Sequence, residues 1–156
     1  MSDNTTTEQP TRRHQVQNWS LAVGVVFLLV GILGFVPGIT THYDMLAAAG
    51  HGSMAKLLGV FNVSILHNIV HLAFGVIGLV AARTARAARA YLIVGGVIYL
   101  VLWIYGLVIN QNSSANFVPV NTADNWLHLA LGIGMIAIGL LVGRRLDTEA
   151  GRRYRS

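Results

Sequence analysis

His67, His71 and His128 are the side chains in this sequence best suited to chemistry. His67 and His71 stand four residues apart, so a helix places them on one face. Neutral imidazole ligates zinc, copper or iron, and His-x-x-x-His on one helix is a competent two-ligand arm. His128 is the candidate third ligand and Asp124 a fourth or an outer partner. Haem or a divalent metal is the cofactor such a set would hold. A second reading needs no ligand. Imidazoles in an apolar setting bond across helices, here to Ser64, Asn68, Tyr99 or Asn125, at about 1 kcal/mol or less per bond in lipid. That packing reading leads, because a lone His-x-x-x-His is a weak signal for a metal.

The elements that must position these groups are apolar. Leu57 to Ala82 contains no Asp, Glu, Lys or Arg. About 20 residues at helical rise cross the hydrocarbon of a bilayer, so the run reads as a membrane span. Polar groups at that depth turn toward protein or trapped water. Three further runs behave alike, giving expected spans at about 19–36, 57–82, 90–109 and 125–143. The fold class expected is an all-α membrane protein, a four-helix transmembrane bundle occupying 19–143. Residues 1–18 read as a disordered tail and 144–156 as a basic one. With 54% hydrophobic and 11% charged residues and a mean hydropathy of +0.58, the natural solvent is the lipid bilayer. Cysteine is absent, which excludes disulfides and thiolate sites.

The connections carry their own signals. Gly38 to Lys56 is long for a loop and holds His42, Asp44 and His51, which read as solvated rather than as a metal set. Ser53 is the expected cap of the second helix. Asp124 opens the fourth helix, where its charge suits the helix dipole. Arg12–Arg13 flanks a first span too long for an export-signal core. Asn112-Ser113-Ser114 matches a glycosylation acceptor, a pattern common by chance.

All ten arginines lie in the two tails or in the loop after the second span, and the other side holds Lys56 alone. The positive-inside rule therefore places both termini in the cytoplasm. The net charge of +5 forms no continuous patch, so nucleic acid is not an expected partner, whereas anionic lipid headgroups are.

The chain also repeats itself. Residues 68–75 read NIVHLAFG and residues 125–132 read NWLHLALG, an offset of 57. More weakly, Trp19, Gly24 and Gly34 correspond to Tyr91, Gly96 and Gly106, an offset of 72. Two tandem hairpins of like orientation are expected. His67 and His128 then lie at one depth, about 24 Å from the arginine-rich side, with His71 one turn deeper.

The stretches LGFVPGIT, YDMLAAAGH, LLGVFNVSILHNIVHLAFGVIGL, ARAYLIVGGVIYLVLWIYG and ANFVPVNTADNWLHLALG resemble a bacterial, mainly actinobacterial, family of small four-span membrane proteins known as a domain of unknown function. The resemblance implies four helices in the plasma membrane and carries over no catalytic residues. The sequence itself shows no nucleophile–base–acid trio and no phosphate-cradling loop. The leading expectation is a non-enzymatic structural or partner-binding module, acting alone or as a homo-oligomer. A metal- or haem-binding protein and a small-solute or proton pathway are the alternatives.

Overall fold

Residues 12–142 are described by a computed structural model of the chain. The remainder of the amino-terminal tail, Gly143 and the basic segment 144–156 lie outside the described residues. Four helices carry the fold: α1 (Arg12–Leu33), α2 (Ile65–Ala81), α3 (Ala85–Val108) and α4 (Thr122–Leu141). His14–Leu33, Ala85–Val108 and Thr122–Leu141 are long and apolar enough to cross a membrane, and α2 is a shorter apolar helix of 17 residues. Helix α1 packs along α2 and α3 along α4, so the bundle is two hairpins laid side by side.

Glycine sets how closely the paired helices approach. A Cβ on Gly24 would lie 3.0 Å from the Gly75 carbonyl oxygen and 2.7 Å from Leu79, while one on Gly96 would lie 2.8 Å from the Gly132 carbonyl and 2.7 Å from Ile136. In lipid such contacts replace the hydrophobic drive for association, because backbones that touch gain packing unavailable to larger residues. Buried Ser20 adds a hydrogen bond from α1 to the Gly78 carbonyl at 2.9 Å. The core between the hairpins is built by Val16, Phe27, Tyr91, Leu92, Tyr99 and Met135.

Two sequence expectations are corrected here. Helix α1 begins at Arg12, so residues 12–18 are helical rather than part of a disordered tail. Helix α2 begins at Ile65 rather than Leu57. The residues ahead of it fold into a small antiparallel sheet, β1 (Thr40–Thr41), β2 (Lys56–Leu57) and β3 (Phe61–Asn62), in that order. Thr40 pairs with Leu57, and Leu57 with Phe61. Leu58 and Gly59 both take positive φ, 54° and 72°, and Val60 N–H closes the turn on the Leu57 carbonyl at 3.1 Å. Two successive left-handed residues make the tight hairpin turn, and Gly59 is the residue that supplies one without steric cost. Leu57, Ala55 and Val63 bury beneath this sheet against Val30, Leu33 and Ile39.

The caps follow the corrected boundaries. Ser64, not Ser53, caps α2, accepting from His67 N–H at 3.1 Å. Ser53 is buried in the loop and donates to the Val63 carbonyl at 2.6 Å. The Ala47 and Ala48 carbonyls accept from Ile65 and Leu66 N–H, so the outer loop satisfies donors that a helix beginning inside protein cannot offer to water. Asn121 and Asp124 form a reciprocal capping box at the start of α4. Asn121→Ala is expected to cost about 1 kcal/mol, read as a lower apparent melting temperature in detergent, with Asn121→Ser restoring most of it.

Candidate functional site

The first turn of α2 sets the site. The Ser64 cap fixes where the helix starts, and His67 and His71 follow on one face with rings stacked 4.6 Å apart and 16° from parallel. His71 Nδ1 lies 3.1 Å from the His67 carbonyl. A carbonyl only accepts, so Nδ1 carries the proton and Nε2 is the acceptor in the neutral ring. The Tyr99 hydroxyl, 3.5 Å from Nε2, is then the donor. Tyr99 comes from α3, in the other hairpin, and its ring meets His128 of α4 at 5.3 Å and 65°. The His67 ring lies instead near the Pro119 carbonyl of the second outer loop. His67, His71, His128 and Tyr99 therefore form one buried layer joining both hairpins and a loop.

Aromatic rings close the layer on the side toward the α2–α3 connection. Phe27 stacks on Tyr99 at 5.3 Å and meets His71 edge-on at 5.7 Å. Phe74 meets both Phe27 and Tyr99 edge-on. Edge-to-face and offset pairs of this kind add about 0.5–1.5 kcal/mol each beyond the area they bury. Tyr91 is buried and donates to the Phe74 carbonyl at 3.2 Å.

The other candidate residues do different work. Asp124 is buried, and its Oδ2 accepts from Asn121 N–H at 2.9 Å and Asn62 N–H at 3.1 Å. Asn121 Nδ2 donates to the Val60 carbonyl at 2.8 Å. Asp124 thus clamps the small sheet onto α4 and is not one of the imidazole layer. Asn68 and Asn125 do not bond the histidines. Each lies against a glycine of its paired helix, Asn68 on Gly34 and Asn125 on Gly106, where a Cβ would collide with the amide. Neither amide atom of Asn68 has a partner, nor has Asn125 Oδ1, and the Nδ1 atoms of His67 and His128 are likewise buried without one. Ser64 is committed to its cap. His42, Asp44 and His51 are exposed on the outer loop. Among the described residues, no three His, Cys, Asp or Glu side chains stand where they would jointly hold a metal ion.

Sequence reasoning missed Phe27, the Pro119 carbonyl and Asn121. The Asn-x-x-Asp spacing of a capping box was a usable signal for Asn121. Phe27 and Pro119 reach the layer only through tertiary packing, and no spacing points to them.

A family model described as "Domain of unknown function (DUF4383)" matches residues 17–141. No curated protein and no solved structure matches the chain.

Proposed function

The chain belongs to the DUF4383 family, and on that premise we propose that it is a four-span integral protein of a bacterial plasma membrane that works by binding rather than by catalysis. The observation that carries this reading is the bond pattern of the buried layer. His71 joins α2 to Tyr99 of α3, His67 stacks on His71, and Tyr99 packs on His128. Imidazoles spent this way tie elements together. Helix α2 spans about 25 Å at helical rise, short of about 30 Å of hydrocarbon, and the small sheet at its outer end makes up the difference. Both termini lie in the cytoplasm, on the arginine-rich side, where anionic lipid headgroups gather.

The two hairpins are an internal repeat on this reading. The equal-offset residues touch equivalent neighbours: Gly24 meets Gly75 as Gly96 meets Gly132, and Gly34 meets Asn68 as Gly106 meets Asn125.

The second reading, haem or a divalent metal on His67, His71 and His128, has one observation in its favour: the unpartnered Nδ1 atoms of His67 and His128. Absorbance from 350 to 700 nm and elemental analysis of protein purified in detergent decide between them. A colourless, metal-free and folded sample is the expected result. Stoichiometric metal or a Soret band, lost in His67→Leu and His128→Leu variants that remain folded, would overturn it. A solute or proton pathway would have to pass Phe27 and Phe74. Liposome flux no greater than that of empty vesicles is expected.

A further inference from the structure

The second hairpin holds a cavity that the first does not match in composition. It measures about 510 Å³ and opens where α3 ends and α4 begins, lined by Trp103, Gly106, Gln111, Thr122, Asn125 and Trp126. From this wall we infer a binding site for a hexosyl head, carried by a neutral glycolipid of the outer leaflet. The inference rests on the reading of the chain as a membrane-embedded binding module, and it names what is bound.

Comparison of the hairpins isolates the site. At matching offsets Gly34 and Asn68 correspond to Gly106 and Asn125, so the floor is shared. The walls differ. Gly31, Ile65 and Ile69 of the first hairpin stand where the second has Trp103, Thr122 and Trp126. In the first hairpin Leu72 fills the place beside Gly31, its Cγ 2.7 Å from where a Cβ would be. In the second the glycine is an indole, with Leu129 at the offset of Leu72. The repeat thus diverges toward two indoles and a hydroxyl at the point where a cavity appears.

The chemistry of the wall selects the ligand. None of the cavity's lining residues is charged. Asp124, the neighbour of Asn125, has its Oδ2 committed to two backbone N–H groups. An ionic head would find no counter-charge, and burying one unpaired is costly. Indole faces accept the C–H face of a pyranose ring, while the Gln111 amide and the Thr122 hydroxyl meet its hydroxyls. Asn125 is only 5% exposed and its Oδ1 is turned onto Gly106, so the polar contacts open to a ligand are those of Gln111 and Thr122. Trp126, by contrast, is 66% exposed and free to lie along a ligand. Tryptophan at this depth also suits a lipid whose tail stays in the bilayer while its head enters protein.

The test uses the full chain purified in a sugar-free amine-oxide detergent and placed in phosphatidylcholine nanodiscs. Trp19→Phe leaves Trp103 and Trp126 as the only indoles, since the chain has three tryptophans. Monoglucosyl-diacylglycerol is expected to shift their emission saturably, whereas plain diacylglycerol and phosphatidylglycerol at equal mole fraction are not. Gln111→Ala and Thr122→Val are each expected to raise the half-saturating fraction about tenfold, the effect of one lost hydrogen bond. Competition by free glucose would assign the same site to a soluble sugar. No competition assigns it to the lipid. Equal responses to glucosyl- and plain diacylglycerol, or full binding by both variants, would overturn the inference. Nanodiscs expose both faces, so neither result depends on which side the termini occupy.

Discussion

Gly75→Ala is expected to loosen the α1–α2 hairpin and to destabilise the protein by about 1–3 kcal/mol, the range for overpacking a close contact. The new Cβ would lie 2.6 Å from Leu28 Cγ and 2.8 Å from the Leu28 backbone nitrogen. A side-chain tip can rotate away, but a backbone nitrogen moves only if the whole helix moves. Gly134→Ala is the matched control. It sits on α4 with nothing within 4 Å of the added carbon. Alanine is the better helix former by about 1 kcal/mol, so this variant should be neutral or slightly stabilised. Apparent melting temperatures of both variants in one detergent make the comparison. Equal stability of the two would show that the hairpin does not depend on backbone contact at Gly75.

Tyr99 is the other position where a large effect is expected. Its ring touches Phe27, Phe74 and His128, and its hydroxyl lies on His71. Tyr99→Ala removes a side chain that is 2% exposed and leaves a cavity where both hairpins meet, at a cost of about 3–5 kcal/mol. Tyr99→Phe keeps the ring and deletes only the donor to His71, at a cost of about 1 kcal/mol or less in a membrane core. The gap between the two variants separates packing from hydrogen bonding. Thermal unfolding monitored by circular dichroism measures it. A phenylalanine variant as unstable as the alanine one would mean that the hydroxyl, not the ring, holds the hairpins together.

The helices were legible because lipid imposes a simple requirement. Apolar runs flanked by charge or proline locate α1, α3 and α4, although α1 and α3 begin at Arg12 and Ala85, ahead of the apolar runs, because each helix continues into its polar flank. The start of α2 was not legible in the same way. Leu57 to Val63 is as apolar as the helix that follows, so composition carries no boundary there, and only Gly59 hints at the turn between β2 and β3. The clustering of His67, His71 and His128 followed from spacing and depth, which are properties of a single helix and its distance from the arginines. Of the partners expected for the rings, Tyr99 lies on His71, but Phe27 and the Pro119 carbonyl arrive from other elements, and helical angle says nothing about which neighbouring helix a face meets. Asn68 and Asn125 show the limit in another form. Their repeated Asn-x-x-His spacing suggested bonds to histidine, yet each amide faces the glycine of its own hairpin partner.

Orientation in the membrane is the point on which site, loops and proposed ligand all depend. The chain contains no cysteine, so single cysteines can be placed without background. Ser114→Cys lies exposed in the loop before α4, and Arg86→Cys lies exposed at the start of α3. With intact cells and a membrane-impermeant maleimide, labelling is expected at position 114 only, and at position 86 only after the membrane is opened. Labelling of position 86 in intact cells, with position 114 protected, would contradict the sidedness of the histidine layer, and equal labelling of both in intact cells would contradict the crossing of α3 between them.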